Sequence, residues 1–403
     1  MSIERLLKLF LSFAFFFEFV LVPSNELFQG VRGGNFTVIV YLSYIIKYCV
    51  FALLTCYVIE AFINEKHYPI VFWIYISMMC FLFVNSFFVI IYNSGIYNDE
   101  LGNVVFKYMS VLFNSFYYVL IGCFLYSVRK TNIIMVGYVT FCLVLVFFID
   151  SKSFSLVKFD GNNDSFNYLS FSDKFVYLSL FAIYKFRNYK KAIVITVSFV
   201  FIYVMGSRSS LVFYVLSILM ASLFYVRFKF IYILSVIVLL LLITTNEGFF
   251  LDNIKFLSSK VPNGNRMIES VVNRNDDASN IGRGSYLKHG IVDIKTYTLT
   301  GKFLGQVEHT GKAGTYIHNF LSFWRQYGLV SFFLFLYLSV MGVYAVSRIE
   351  NKKDNMLYVS CLVFSLASFL LTRTAFTKEI MLFFGMPIFM FIGRDDIGIN
   401  NDE

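Results

Sequence analysis

Three places in this chain combine residue types that could do chemistry. The first is Gly206-Ser207-Arg208-Ser209-Ser210, a short polar break between two apolar segments. An arginine there is costly unless it reaches water, a lipid headgroup or an anionic ligand. Its planar fork suits the oxygens of a phosphate. Ser207, Ser209 and the amides opening the next helix would add donors, because a helix N-terminus favours an anion. Taken alone, Arg208 could equally snorkel to lipid phosphate. The second place runs from Thr315 to Gly328. If this run is helical, His318, Ser322 and Arg325 lie at i, i+4 and i+7 on one face, with Asn319 beside them at the water boundary. A histidine so placed can serve as a general base near neutral pH, although an isolated interfacial histidine can also be structural.

The third place is the polar stretch that leads into the second. Arg266, Arg274, Arg283 and Lys288 alternate there with Gly264, Gly282, Gly284 and Gly290. Such a stretch could wrap a polyanionic or polyhydroxylated ligand, with Asp276, Asp277, Asp293 and Glu308 orienting sugar hydroxyls. An ordinary solvated loop of balanced charge accounts for most of these residues. Arg283 stands apart because Ile281 to Tyr286 opens the most helix-like part of the stretch, which continues through Val292. Arg373, in a later connector, is a further candidate for binding an anion.

Several chemistries are excluded or weakly supported. Asp160 to Asp164 begins like a calcium loop but lacks the glycine and the terminal glutamate. His289, His309 and His318 lack zinc-site spacing, and no HExxH occurs. Walker A, GxSxG and Rossmann glycine patterns are absent, so the chain carries no engine for nucleotide-driven transport. No carboxylate constellation for a divalent metal is evident, and no cofactor is expected.

These groups must be positioned by membrane helices. The chain has 403 residues, of which 58% are hydrophobic and 15% charged, with a mean hydropathy of +0.70. Soluble domains carry roughly 25% charged residues, so the composition is that of a polytopic membrane protein. The net charge of +9 sits largely in short connectors, where it serves topology and anionic headgroups rather than nucleic acid. All six cysteines (Cys49, Cys56, Cys80, Cys123, Cys142 and Cys361) fall in apolar segments and read as packing residues. The 51 phenylalanines and 28 tyrosines show no pattern and read as lipid-facing and interfacial surface.

Apolar runs of roughly 15 to 25 residues give about 12 transmembrane helices, within a range of about 10 to 12, in an all-α polytopic fold. The spans are Leu6 to Val22, Phe36 to Ile63, Ile70 to Ile91, Leu101 to Val128, Ile133 to Ile149, Phe175 to Phe186, Ala192 to Met205, Leu211 to Val226, Phe230 to Thr245, Phe320 to Val346, Met356 to Leu371 and Ile380 to Ile392. Met1 to Val22 resembles a signal peptide in charge and length, but no small-residue cleavage pattern follows, so it reads as a retained first helix. With the N-terminus inside, the inner connectors hold Lys66, Arg129-Lys130, Lys185, Arg187, Lys190, Lys191, Arg227, Lys229, Arg348, Lys352 and Lys353. The outer short connectors hold fewer cations, so both termini are expected to be cytoplasmic. This division gives an N-terminal transmembrane bundle at 1–245, a large periplasmic loop at 246–317, C-terminal transmembrane helices at 318–393 and a cytoplasmic tail at 394–403.

With these elements in place, the chain resembles the O-antigen polymerase and ligase family of bacterial membrane glycosyltransferases. The resemblance rests on Gly206-Ser207-Arg208-Ser209, on Arg283 in Gly-Arg-Gly-Ser-Tyr followed by Thr300 to Gly305, and on His318-Asn319-Phe320-Leu321 followed by Tyr327-Gly328-Leu329-Val330. It implies a glycosyltransferase C-type architecture in the bacterial inner membrane, with the active site facing the periplasm. The implied reaction transfers a growing glycan from undecaprenyl diphosphate to the non-reducing end of an incoming lipid-linked repeat unit, without metal. Arg208 and Arg283 would clamp the leaving diphosphate and His318 would act as base. Ser207, Ser209, Asn319, Ser322, Arg325 and Arg373 would bind substrate. The expected partners are the lipid-linked oligosaccharide, membrane lipid, a chain-length regulator and a flippase. Alternatives are a ligase that transfers the glycan to lipid A core, and a flippase or transporter of lipid-linked oligosaccharide.

Overall fold

The computed structural model describes residues 3–32, 39, 41–50, 52–53, 70–94, 109–122, 132–150, 155–156, 168–186, 188–223, 278–310, 317, 319–347, 352–374 and 377–392. These residues are helical almost throughout; one short antiparallel pair joins β1 (Ile149–Asp150) to β2 (Ser155–Leu156). The architecture is compatible with an α-helical membrane protein. Among the described residues, Leu321–Ser347 is the helix long and apolar enough by itself to cross a membrane, and five shorter apolar helices accompany it. The expected span Phe230 to Thr245, most of Phe36 to Ile63, the calcium-like Asp160 to Asp164 and the tail at 394–403 lie outside the described residues.

The chain begins with α1 (Ile3–Phe16), which passes through a π-helical turn at Phe17–Leu21 into α2 (Val22–Arg32). Residues 41–50 form α3, and α4 (Ile70–Ser94), α5 (Met109–Gly122) and α6 (Ile133–Phe147) follow. Next come α7 (Tyr168–Lys185), α8 (Asn188–Val204) and α9 (Arg208–Leu223). The polar stretch contributes α10 (Ala278–Thr296) and α11 (Gly305–Thr310). Finally, α12 (Leu321–Ser347) and α13 (Lys352–Leu371) lead through a 3-10 turn (Lys378–Met381) into α14 (Leu382–Ile392).

Aromatic side chains supply much of the packing. Phe141 stacks on Phe175 at 5.2 Å, and Phe201 meets the edge of Phe175 at 6.0 Å, tying α6, α7 and α8 together. Phe323, Phe335 and Phe369 form a second group that joins α12 to α13, at 4.6 and 5.1 Å from Phe323. The sequence places unpatterned aromatics on lipid-facing and interfacial surface; these groups are instead buried between helices. Flat rings fill space between helices with few rotatable bonds, which accounts for their use here. Other apolar residues do face outward, including Phe147 at 82% exposure and Val340 at 66%. An exterior of this kind suits lipid better than water.

Hydrogen bonds identify the two ends of the bundle. At one end Lys185 Nζ donates to Asn132 Oδ1 at 3.1 Å, and Lys191 Nζ donates to Met356 Sδ at 3.1 Å. The end of α7 thus meets the start of α6, and the starts of α8 and α13 lie together. At the other end Ser172 Oγ donates to Met205 Sδ at 3.5 Å, joining the start of α7 to the end of α8. The start of α9 and the end of α13 meet there as well.

The π-helical turn carries Glu18, which is 1% exposed. Lys47 of α3 approaches it at 3.0 Å, Ser43 donates to it at 2.9 Å, and Tyr118 of α5 donates at 3.2 Å. Lys47 also donates to Asn114 Oδ1 at 2.9 Å. A lone charge in this interior would be expensive, and the surrounding donors neutralise it.

A break at Gly328 shapes the C-terminal half. Its φ of 80° and ψ of 179° interrupt α12, and a Cβ there would lie 2.1 Å from the Leu299 carbonyl oxygen. In an unbroken helix Leu329 N–H would donate to the Arg325 carbonyl. Instead, Leu329 N donates to Thr298 O at 3.1 Å, and Arg325 O accepts from Lys302 N at 2.6 Å. The break frees two backbone groups of α12, and the segment between α10 and α11 occupies both. Gly301, at φ 68°, comes so close to Gly328 that a side chain would collide with it. The polar stretch expected as an outer loop is therefore, in its described part, a helical unit docked on the head of α12.

Candidate functional site

The first candidate site lies where α7, α9 and the end of α13 converge. After α8, Gly206 adopts φ 75°, reversing the chain so that α9 starts at Arg208. Ser207 and Ser210 are fully buried, and their hydroxyls lie 2.6 Å apart. Ser210 donates to Asp173 Oδ1 at 2.8 Å. Asp173 and Arg373 form a two-point ion pair, Nε to Oδ2 and Nη2 to Oδ1, each at 2.7 Å. The remaining Arg373 donors reach Ser210 and Ser209 at 2.9 Å and Thr372 at 3.3 Å. All five N–H directions of this guanidinium are thus engaged.

Arg208, Ser207, Ser209 and Arg373, which sequence reasoning nominated separately, therefore stand together. Arg208 is half-buried at the first position of α9, whose opening amides have no carbonyl partner within the helix. Arg373 is 3% exposed and already paired, so it fixes the shape of the site, whereas Arg208 stands closer to its surface. Asp173 was missed by sequence reasoning. It stands immediately before Lys174, the residue that precedes the apolar run starting at Phe175. A carboxylate beside a lysine at a helix mouth was the available signal.

More charge lies on the next face of α7. Lys174 is 1% exposed, and Ser170 donates to Glu379 Oε1. Lys378 lies over the Tyr118 ring, 5.7 Å from its centroid. Burial alone lowers the affinity of Lys378 for its proton, but the carboxylates of Glu379, Glu18 and Glu26 outweigh it and hold the ammonium above the usual lysine range. The buried groups at this end thus include three cations (Lys47, Lys174 and Arg373) and three carboxylates (Glu18, Asp173 and Glu379), with Lys378 and Arg208 half-buried.

The second cluster lies on α10, α11 and the head of α12. Arg325 is 1% exposed and donates from Nε and Nη2 to Asp293 Oδ2 at 2.9 and 2.6 Å. Gln326 donates to Gln306 Oε1 and accepts from Leu304 N, both at 2.9 Å. Asn319 Oδ1 accepts from Leu321 N at 3.0 Å and so caps the entry to α12; Ser322 is buried one residue further on. The helix begins at Leu321, so the shared face expected from His318 through Ser322 to Arg325 holds for the last two within the helix. His318 lies outside the described residues. Arg283 falls within α10, but its side chain and the Arg266 and Arg274 positions also lie outside them. Asp293, expected to orient sugar hydroxyls, is instead the partner of Arg325.

In comparisons with known proteins, no family model matches the chain and no curated protein matches its sequence.

Proposed function

We propose that this chain is a polytopic glycan polymerase of the bacterial inner membrane that uses an undecaprenyl-diphosphate-linked donor. The observation that supports it best is Arg208 at the head of α9, beside the Arg373–Asp173 pair and Ser209, at the bundle end opposite Lys185, Lys190 and Lys191. By the positive-inside rule the lysine end faces the cytoplasm, which turns the arginine end to the periplasm. A glycosyl diphosphate gains charge on its leaving oxygens as the glycosidic bond breaks, and a preorganised cation favours that transition state without nucleotide or metal. The α10–α11 unit docks on the head of α12 at the same end. Arg283 would join the clamp, and the base is a histidine of this outer segment, with His318 the candidate from the sequence motif. In full this reading comprises about 12 spans, termini in the cytoplasm, the glycosyltransferase C-type architecture and partnership with a flippase and a chain-length regulator.

Deletion of the gene is expected to leave lipopolysaccharide carrying a single repeat unit, seen as one band above the core on a gel. Complete absence of O-chain would instead indicate a ligase. A second reading, a flippase for lipid-linked oligosaccharide, is favoured by Glu18 and Lys47, which pair within the expected first two spans. It predicts that deletion traps lipid-linked repeat units on the cytoplasmic face.

A further inference from the structure

Asp293 gathers more than Arg325. It is 3% exposed, and its Oδ1 lies 2.9 Å from His309 Nε2 and 3.8 Å from Lys302 Nζ. Gly305, whose Cβ would fall 2.9 Å from Asp293 Oδ2, leaves the room for this arrangement. The His309 ring stacks on His289 of α10, with centroids 5.0 Å apart and planes 21° apart. The His309 side chain is 28% exposed.

A carboxylate in this contact can only accept, so His309 Nε2 carries the hydrogen and the neutral ring keeps its lone pair on Nδ1. Nδ1 has no hydrogen-bond partner among the described residues. The ring is held on one nitrogen by a buried carboxylate and on one face by a second imidazole. A carboxylate that fixes the tautomer and offsets the positive charge on protonation is the arrangement of general-base histidines. The cluster also lies at the arginine end of the bundle. Phe323, two residues before Arg325, packs on Phe369, four residues before Arg373.

Resting on the polymerase reading, we infer that His309, held by Asp293, accepts the proton of the acceptor sugar hydroxyl. In this step the acceptor oxygen bonds to the anomeric carbon of the donor. The bond from that carbon to the diphosphate breaks and its electron pair leaves with the diphosphate. The hydroxyl proton passes to His309 Nδ1, and the imidazolium faces Asp293 until it returns the proton to water. Arg325 and Lys302 share the same carboxylate and keep it in place.

The test uses the full-length chain in lipid vesicles with a lipid-linked repeat unit, and measures elongation against pH for the wild type, His309→Gln, His289→Gln and His318→Gln. The groups facing His309 are Asp293 and His289 on α10, Lys302 on the connecting turn and Arg325 on α12. His309→Gln is expected to slow elongation about 10²- to 10⁴-fold and to remove the acid-side fall in rate. His318→Gln should retain that fall. Wild-type rate in His309→Gln overturns the inference, as does a slowed variant that keeps the acid-side fall, because a merely structural histidine would behave that way. If the wild type elongates while His309→Gln matches its rate or keeps the acid-side fall, the base assignment fails and the polymerase reading stands. If the wild type forms no polymer, both fail.

Discussion

Replacing Arg208 with alanine is expected to abolish long-chain polymer while the protein stays folded in its membrane. Arg208 is half-buried at the first position of α9, and Arg373 and Asp173 hold the neighbouring Ser209 and Ser210 in place without it. Its loss should therefore leave the scaffold intact. On the proposed reading, what it removes is a cation that favours the charge developing as the diphosphate departs. Removing one such donor costs about 10²- to 10³-fold in rate in other enzymes. Over many successive transfers, a loss of that size shortens the product to a few units. Lysine should restore little, because a single ammonium cannot reproduce two parallel N–H···O contacts to phosphate oxygens. Membrane abundance and gel laddering report the two halves of the expectation separately, and a full ladder in Arg208→Ala would remove Arg208 from the clamp.

Asp173→Ala should act by the opposite route, through loss of the folded protein. The carboxylate accepts both nitrogens of Arg373 and the Ser210 hydroxyl, and it is fully buried. Removing one member of such a pair strands a desolvated charge, at a cost of about 3–5 kcal/mol. Native chains hold only about 5–15 kcal/mol in total, so abundance and thermal stability in detergent should both fall sharply. The double replacement Asp173→Leu with Arg373→Met removes both charges and should recover much of the stability without recovering activity. Recovery of neither would show that the serine contacts matter more than the ion pair.

The apolar runs made the helices legible to the extent that hydropathy marks them. Ile70 to Ile91 and Met356 to Leu371 fall inside α4 and α13 with small shifts at the ends. Hydropathy starts the sixth span at Phe175, but α7 begins at Tyr168. Hydropathy stops at charged residues, yet Asp173 and Lys174 are both buried in the helix, Asp173 in an ion pair with Arg373 from beyond the end of α13. No local pattern reveals a partner 200 positions away, which is the separation of Asp173 and Arg373. In the same way the Gly206 to Ser210 break could be identified as a polar site, but its neighbours could not. In the C-terminal half, Tyr327-Gly328 stood out as a motif without disclosing its role. That role depends on the positive φ of Gly328 and on two backbone groups that the Thr298 to Lys302 segment captures. Likewise, the sequence offers His309 only as one of three histidines without zinc-site spacing, and its pairing with Asp293 emerges only when α10 and α11 fold together.

The central claim is that this chain itself joins lipid-linked repeat units. The most direct measurement reconstitutes the purified full-length protein in lipid vesicles with undecaprenyl-diphosphate-linked repeat units, without nucleotide or divalent metal, and resolves the glycan products by size. The expected result is a ladder of multiples of the repeat unit with release of undecaprenyl diphosphate, absent when Arg208→Ala replaces the wild type. Repeat units that stay single, whether untouched or moved across the bilayer, would contradict it.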